Sequence, residues 1–203
     1  MKALTKWLET APRWRLIALG ATLWGVCYFL ANHWPFSQPR FLPYFLGEEK
    51  IPFVAWTLPI YWSVIPQILL GLGLIKRELL PRSYLAGAGL IIGHSLVFFF
   101  YPTTYPRPMV AINNHLIGWT YQLACWLETP GCCLPSLHVA LSTLCGLVFY
   151  RQSKKSGLLW LLWTALIAIS TLTTKQHYLL DIASGCATAA ISYRLAFFSS
   201  HKT

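Results

Sequence analysis

Charged side chains are scarce in this sequence, and acidic ones are scarcest. Charged residues make up 11% of the 203 residues, and only 6 are Asp or Glu, against 16 that are Lys or Arg. Hydrophobic residues make up 56%, and the mean hydropathy is +0.51. A soluble domain of this size does not need so apolar a sequence, so the composition excludes a soluble protein and predicts an integral membrane protein.

Other missing features narrow the class of protein. The sequence has no internal repeat, low-complexity tract or domain linker, which predicts a single domain over residues 1–203. It lacks repeated halves with paired broken helices, which argues against a proton-coupled carrier. It also lacks a Cys-x-x-Cys pair, which argues against a membrane thiol oxidoreductase. With no soluble basic domain to carry it, the net charge of +10 excludes nucleic acid as a partner.

Six apolar segments predict an all-α membrane protein with spans at 16–34, 51–75, 83–101, 135–150, 158–175 and 180–198. The first follows basic residues but has no small–x–small cleavage pattern, so we interpret it as an uncleaved span. Pro59 and Pro66 predict a kink in the second. Apolar residues recur with helical spacing from Met109 to Leu127, which predicts a surface helix on the outer side.

The basic residues predict the orientation of these spans. Twelve belong to the N-terminus, two alternate loops and the C-terminal tail: Lys2, Lys6, Arg13, Arg15, Lys76, Arg77, Arg82, Arg151, Lys154, Lys155, Arg194 and Lys202. Four belong to the other connections: Arg40, Lys50, Arg107 and Lys175. This positive-inside bias predicts that both termini are cytoplasmic. The segments holding Arg107, His138 and His177 then all reach the outer side.

Two short polar motifs at the ends of apolar runs predict a reaction site. His177 and Asp181 are four residues apart, so on a helix the carboxylate can orient one ring nitrogen and leave the other to attack. His138 opens the fourth span after Pro135-Ser136, where a helix N-terminus and a hydroxyl suit a phosphate group. A second histidine there can protonate a leaving oxygen. A buried, satisfied His–Asp pair is the alternative interpretation.

Arg107 and Lys175 are the candidate cations for binding phosphate on the outer side. The alternative for each is an ordinary contact with lipid headgroups. For His94, inside the third span, the main interpretation is a hydrogen bond to a neighbouring helix, and a substrate or proton-relay role is the alternative.

The outer side offers few ligands for a metal. Its carboxylates are Glu48, Glu49, Glu128 and Asp181, whereas a two-metal phosphatase needs several that converge, so we predict no metal and no cofactor. A zinc site formed by His115 and nearby cysteines remains a weaker alternative. A disulfide between Cys125 and either Cys132 or Cys133 also remains open.

Pro-Arg-Pro at 106–108, Pro-Ser-Leu-His at 135–138 and His-Tyr-Leu-Leu-Asp at 177–181 resemble the three motifs of the type 2 phosphatidic acid phosphatase (PAP2) superfamily. The form Thr-Thr-Lys-Gln-His-Tyr-x-x-Asp looks most like the inositolphosphotransferase-like branch. The resemblance implies a six-helix membrane bundle and a metal-independent phosphohistidine mechanism. It implies that His177 is the nucleophile, Asp181 its orienter and His138 the general acid, while Arg107 and Ser136 hold the phosphate.

Three positions depart from the family pattern. Phe100 stands where the first motif usually has lysine, Leu137 replaces the glycine of Pro-Ser-Gly-His, and Ser170-Thr171 replaces Ser-Arg. Two phosphate-binding cations are therefore missing, and Lys175 is the candidate replacement for one of them.

The sequence leads to the hypothesis of a membrane-embedded lipid phosphatase whose partners are a lipid phosphate substrate and the surrounding membrane lipids. Transfer of a phosphoryl or phospho-headgroup unit to an alcohol is one alternative, and a non-enzymatic proton-coupled carrier is another. The expected location is the bacterial inner (plasma) membrane, with the site facing the periplasm. Neither the lipid nor the oligomeric state follows from the sequence.

The charge distribution makes a testable prediction about topology. In a cysteine-free background, Lys154→Cys should resist a membrane-impermeant thiol reagent applied from outside, whereas Lys50→Cys should react with it. Labelling of position 154 from the outer side would contradict the topology and, with it, a shared site for the two histidines.

Overall fold

The computed structural model of the protein describes residues 2–108, 112, 114–127 and 131–198. Most of them are helical, which confirms the all-α prediction. The helices are α1 Lys2–Thr10, α2 Arg13–His33, α3 Leu58–Trp62, α4 Val64–Leu74, α5 Leu80–Phe100, α6 His115–Leu127, α7 Leu137–Gln152, α8 Lys154–Thr173 and α9 Leu179–Phe198. Two 3-10 turns, Glu48–Lys50 and Ala55–Thr57, and a pair of two-residue strands complete the described elements.

Four described segments are long and apolar enough to cross a membrane: Arg13–His33, Ala55–Leu74, Leu80–Phe100 and Lys154–Thr173. They match four of the six predicted spans. The predicted spans at 135–150 and 180–198 coincide with the helices α7 and α9, although that they cross the membrane stays a prediction. A helix, α6, occupies part of the range predicted for the surface helix, and its position along the membrane surface stays a prediction. The expected beginning at Met109 lies outside the described residues, as does Glu128.

The second apolar segment is interrupted at Ser63, between the two prolines that predicted a kink. The Ser63 hydroxyl donates to the carbonyl of Ile60 over 2.6 Å. It also accepts a hydrogen bond from the Trp163 indole of α8 over 2.8 Å. The polar groups at the break therefore have hydrogen-bond partners within the protein. Irregular backbone inside a membrane is tolerated only where such partners exist.

Helix α7 lies at the centre of the bundle and packs against α4, α5, α8 and α9. Its contact with α8 depends on two glycines. A Cβ atom on Gly157 would lie 2.1 Å from Cα of Tyr150, and one on Gly146 would lie 2.5 Å from the Leu161 side chain. A buried hydroxyl pair, Ser142 and Thr164, also joins these helices over 2.9 Å. Small residues and hydroxyl groups of this kind let membrane helices approach closely.

The N-terminal ends of α7 and α9 are joined backbone to backbone. The Ser136 N–H donates to the Asp181 carbonyl over 3.0 Å. A Cβ atom on Gly185 would lie 2.6 Å from the Ser136 carbonyl oxygen. Gly185 thus lets α9 approach closely at the Pro-Ser-Leu-His motif.

The strands β1 (Arg40–Phe41) and β2 (Thr103–Thr104) pair in parallel above the bundle. Strand β2 also binds the segment before α7, because Cys133 N donates to Thr103 O over 3.1 Å and Leu134 N to the Thr103 hydroxyl over 2.8 Å. The strand that precedes Pro-Arg-Pro thus holds the segment that precedes Pro-Ser-Leu-His.

The α7–α9 contact predicts that Gly185→Ala destabilises the protein. The new methyl group would meet backbone that cannot turn aside, and such overpacking costs about 1–3 kcal/mol. Gly93→Ala in α5 is the matched control, since a Cβ atom there meets nothing within 4 Å. Thermal unfolding in detergent should show a lower Tm for Gly185→Ala only; equal Tm values for both variants would contradict the close approach.

Candidate active site

The turn between α8 and α9 places His177. Helix α8 ends at Thr173, and Lys175 then adopts a left-handed conformation with φ of 57°. This reversal lets Gln176 N and His177 N both donate to the Thr171 carbonyl, over 3.0 and 3.3 Å. The turn therefore satisfies the carbonyls at the end of α8 and brings the histidine back over the bundle.

His177 and Asp181 form the expected pair, although His177 lies in the turn before α9 and not on the helix itself. The distance from His177 Nδ1 to Asp181 Oδ2 is 3.1 Å, and the same oxygen accepts the Tyr178 N–H over 2.9 Å. Both side chains are buried, with 3% and 0% of their surface exposed. His177 Nε2 and Asp181 Oδ1 have no hydrogen-bond partner among the described residues. A fully satisfied structural pair does not fit this arrangement, because the second ring nitrogen remains available to attack.

His138 lies beside this pair, in the first turn of α7. The centroids of the His138 and His177 rings are 5.9 Å apart, and the Tyr61 ring packs 5.0 Å from His138 on another side. Ser136 caps α7, since its hydroxyl oxygen accepts the Val139 N–H over 3.4 Å. The structure thus brings together four of the six predicted site residues: His138, His177, Asp181 and Ser136.

The two predicted cations make other contacts. Arg107 Nη1 donates over 3.1 Å to the carbonyl of Cys125 near the end of α6, a place where helix carbonyls lack partners of their own. Lys175 lies near Glu48 and Glu49. Burial lowers the pKa of Lys175 below its ordinary value, and the two carboxylates act in the opposite direction. Phosphate binding by Arg107 and Lys175 therefore stays a prediction.

Glu48 is a site residue that the sequence reasoning did not find. It was counted only as an outer carboxylate, yet it is buried, with 2% of its surface exposed. Its two oxygens accept the Phe45 N–H over 2.8 Å and the Leu179 N–H over 2.5 Å. Glu48 thereby binds the free N-terminus of α9, two residues after His177. The only signal in the sequence was an acidic residue that follows an aromatic-rich segment.

Tyr178 is the second missed residue. Its hydroxyl donates to the Thr104 carbonyl over 3.1 Å and accepts the Leu42 N–H over 3.3 Å. Its ring centroid lies 4.5 Å from that of Tyr105 and 5.6 Å from that of Tyr44. Burial raises the pKa of Tyr178 to about 12, so the phenol keeps its proton and remains a donor at neutral pH.

Cys133 comes close to the His–Asp pair. Ligand atoms of Cys133, His177 and Asp181 all lie within 4.8 Å of one another. Thiolate, imidazole and carboxylate are zinc ligand types, so this group could hold an ion, in place of the site from His115 considered above. The described cysteines form no disulfide. The Cys132 thiol donates to Asn32 Oδ1 over 2.8 Å, and the Cys133 thiol to the Gln176 carbonyl over 3.6 Å.

His94 lies apart from this cluster. Its Nδ1 is 2.8 Å from the Leu90 carbonyl, and its Nε2 is 3.3 Å from the Thr188 hydroxyl of α9. The predicted hydrogen bond to a neighbouring helix is confirmed. Both ring nitrogens are used in packing α5 against α9, which counts against a proton relay through His94.

A family model described as the PAP2 superfamily matches residues 48–195, which is more than two thirds of the chain. The matched region contains all three motifs, and it begins at Glu48. No curated protein and no solved structure matches the chain.

The contacts of Glu48 make a prediction about the start of α9. Glu48→Ala should leave the part-buried N–H groups of Phe45 and Leu179 without their acceptor, at a cost of up to about 1–3 kcal/mol each. Glu48→Gln keeps one acceptor and should cost less. Exposed Glu49 gives the matched control, Glu49→Ala.

Thermal unfolding should rank the variants Glu48→Ala, Glu48→Gln, Glu49→Ala from least to most stable. Hydrogen exchange should rise in the peptide that contains Leu179 in the Glu48 variants alone. Unchanged exchange there in Glu48→Ala would contradict the capping contact.

Proposed function

Since the chain belongs to the PAP2 superfamily, we propose that it is a membrane-embedded lipid phosphatase that works through a phosphohistidine at His177. The observation that carries this proposal is the geometry of one imidazole. Asp181 engages Nδ1, while Nε2 is buried without a described partner and the ring lies beside that of His138. A nucleophile held by an orienting carboxylate and paired with a second histidine suits phosphoryl transfer.

In the first step, His177 Nε2 attacks phosphorus and the bond from phosphorus to the lipid oxygen breaks. Protonated His138 gives its proton to that leaving oxygen. The developing positive charge on the His177 ring is stabilised by Asp181, which accepts the Nδ1–H hydrogen bond over 3.1 Å. The lipid alcohol departs, and the phosphoryl group stays on His177.

In the second step, neutral His138 removes a proton from a water molecule. The water oxygen attacks phosphorus, the N–P bond breaks, and inorganic phosphate leaves with both histidines restored. Neither step requires a metal, because Asp181 supplies the charge stabilisation and His138 the proton transfer.

The phosphate oxygens would bind at the N-terminus of α7, where a helix presents free N–H groups and a partial positive charge. The Ser136 hydroxyl would donate from the same place. Arg107 and Lys175 would supply positive charge after moving from the contacts they make with Cys125 and beside Glu48. Their flexible side chains can make such a change when an anion enters.

We further propose six spans, both termini in the cytoplasm and the site on the outer side. The twelve-to-four distribution of basic residues supports this orientation. Helix α6 would lie along the outer surface, since it exposes Leu116, Trp119 and Trp126 as an amphipathic membrane anchor does.

Transfer to an alcohol, the activity of the inositolphosphotransferase-like branch, is the second candidate function. It is favoured by the burial of His177 and Asp181, because a phosphohistidine shielded from water lives long enough to meet another acceptor. Mass spectrometry of reactions with added alcohols separates the two: hydrolysis gives only inorganic phosphate, whereas transfer gives a new phosphoester.

The roles of the two histidines are tested by substitution. His177→Asn should abolish turnover and the acid-labile phosphoenzyme. His138→Asn should slow hydrolysis of an alkyl phosphate by about 10²–10⁴-fold, the usual contribution of a general acid. It should affect an aryl phosphate less, because that leaving group needs little protonation. Exposed His33 gives the control, His33→Asn, which should keep full activity.

The assay is phosphate release in buffer containing EDTA, with mass spectrometry to locate the label. Label on His138 would reverse the assignment. Undiminished turnover in both single variants would rule out the phosphohistidine mechanism.

A further inference from the structure

A cavity of about 330 Å³ lies between α2, α4, α5 and α7, and His138 is among the residues that line it. At its outer end it is lined by Trp62, Leu127 and His138, and at its inner end by Ile17, Tyr84 and Phe149. From His138 to Phe149, α7 rises about 16 Å, at 1.5 Å per residue. The cavity is therefore a long slot that begins beside the proposed general acid and follows α7 toward the cytoplasmic side.

The walls of the slot are apolar. None of the described residues that line it is Asp, Glu, Lys or Arg. The space exists because several lining residues are small, including Gly20, Gly87 and Ala88. A Cβ atom on Gly87 would still be 3.9 Å from Leu144 and 4.0 Å from Leu141. These walls do not suit a sugar or any other polar group, whereas a hydrocarbon chain fits them.

We propose that this slot binds one hydrocarbon tail of the substrate while the phosphate lies between His138 and His177, and that its depth sets the preferred tail length. The proposal rests on the proposed function and adds where the tail lies. The volume is at the small end of the ~300–1,000 Å³ range of ligand pockets, which favours a single chain. Continuity of the slot with His138 identifies the occupant as the substrate's own tail.

The tail acts by positioning. A tail in the bilayer is already in hydrocarbon, so entering the slot gains little from the hydrophobic effect. A tail held in the slot does fix the position of the phosphorus atom relative to His138 and His177. A misplacement of that atom by about 1 Å can lower the rate about a hundredfold. A tail too long for the slot should therefore react slowly even when it binds the membrane well.

Two glycines allow the depth of the slot to be changed. Gly87→Leu should fill it near Leu144, about 9 Å along α7 from His138. Its matched control is Gly89→Leu, on the same helix, where a Cβ atom meets nothing within 4 Å and the residue does not line the slot. Gly20→Leu should fill only the inner end, next to Tyr84, and Gly25→Leu on the same helix is its control.

The experiment measures kcat/KM for butyl, octyl, dodecyl and hexadecyl phosphate in one detergent. Each substrate partitions into micelles to the same extent for a variant and for its control, so this effect cancels when their kcat/KM values are compared. Gly87→Leu should lower the hexadecyl-to-butyl ratio by about tenfold to a hundredfold relative to Gly89→Leu. Gly20→Leu should lower the same ratio and leave octyl phosphate unaffected. Equal ratios in each variant and its control would overturn the proposal.

A binding measurement separates this proposal from the proposed function. Hexadecyl phosphate with a photoreactive group at the end of its tail should cross-link to the inner part of α7 in Gly89→Leu and not in Gly87→Leu. Such cross-links without phosphate release would support the slot and contradict the phosphatase. Cross-links confined to the outer surface of the bundle would overturn the slot, whatever the activity. The labelled lipid should be displaced by butyl phosphate and by excess unlabelled hexadecyl phosphate. If neither displaces it, the slot binds a structural lipid, and the proposal is overturned.

Discussion

The contact between the N-terminal ends of α7 and α9 is the constraint on which the site depends. Ser136 N–H donates to the Asp181 carbonyl, and Gly185 lies directly against the Ser136 carbonyl. These are backbone contacts, so the two helices have little freedom to slide or rotate here. His138 stands two residues from one side of the junction, and Asp181 forms the other. His138 lies on α7 and His177 lies in the turn before α9, so the 5.9 Å spacing of their rings depends on this junction together with the contact from His177 to Asp181.

A second constraint lies above the bundle, in strand β2. Thr103 binds the segment before α7, and the Thr104 carbonyl accepts the Tyr178 hydroxyl. The three motifs are far apart in sequence, yet all of them meet at these two threonines. Pro-Arg-Pro follows Thr104 closely in the chain, Leu134 contacts Thr103 directly before Pro-Ser-Leu-His, and Tyr178 of the third motif contacts Thr104. Glu48 adds a further tie by binding the start of α9. The long helices and the segments that connect them therefore both fix where the histidines lie.

The sequence could predict what depends on local spacing. The His177–Asp181 pair follows from a four-residue interval, the kink near Ser63 from two prolines, and the main helices from apolar runs. It could not predict Cys133 beside His177, because 44 residues separate them and adjacent cysteines carry no metal pattern. Glu48 was missed for the same reason, since its partner at Leu179 is distant in the chain. The sequence did not predict the short strands either, because two residues are too few to show the alternating polar and apolar pattern of a strand.

Buried polar atoms without partners mark where this bundle departs from good packing. At membrane depth, Ser142, Thr164 and Gln67 all find protein partners, as do His94 and Thr188. Among the described residues, Gln176 Oε1, His177 Nε2 and Asp181 Oδ1 are buried and have none. Each such atom costs about 1–3 kcal/mol, and three within six residues are too many for a purely structural turn. Elsewhere in the described residues the unpartnered buried atoms, Ser37 Oγ and Ser95 Oγ, are isolated. The concentration of such atoms from Gln176 to Asp181 therefore supports the proposal that a substrate supplies the missing partners there.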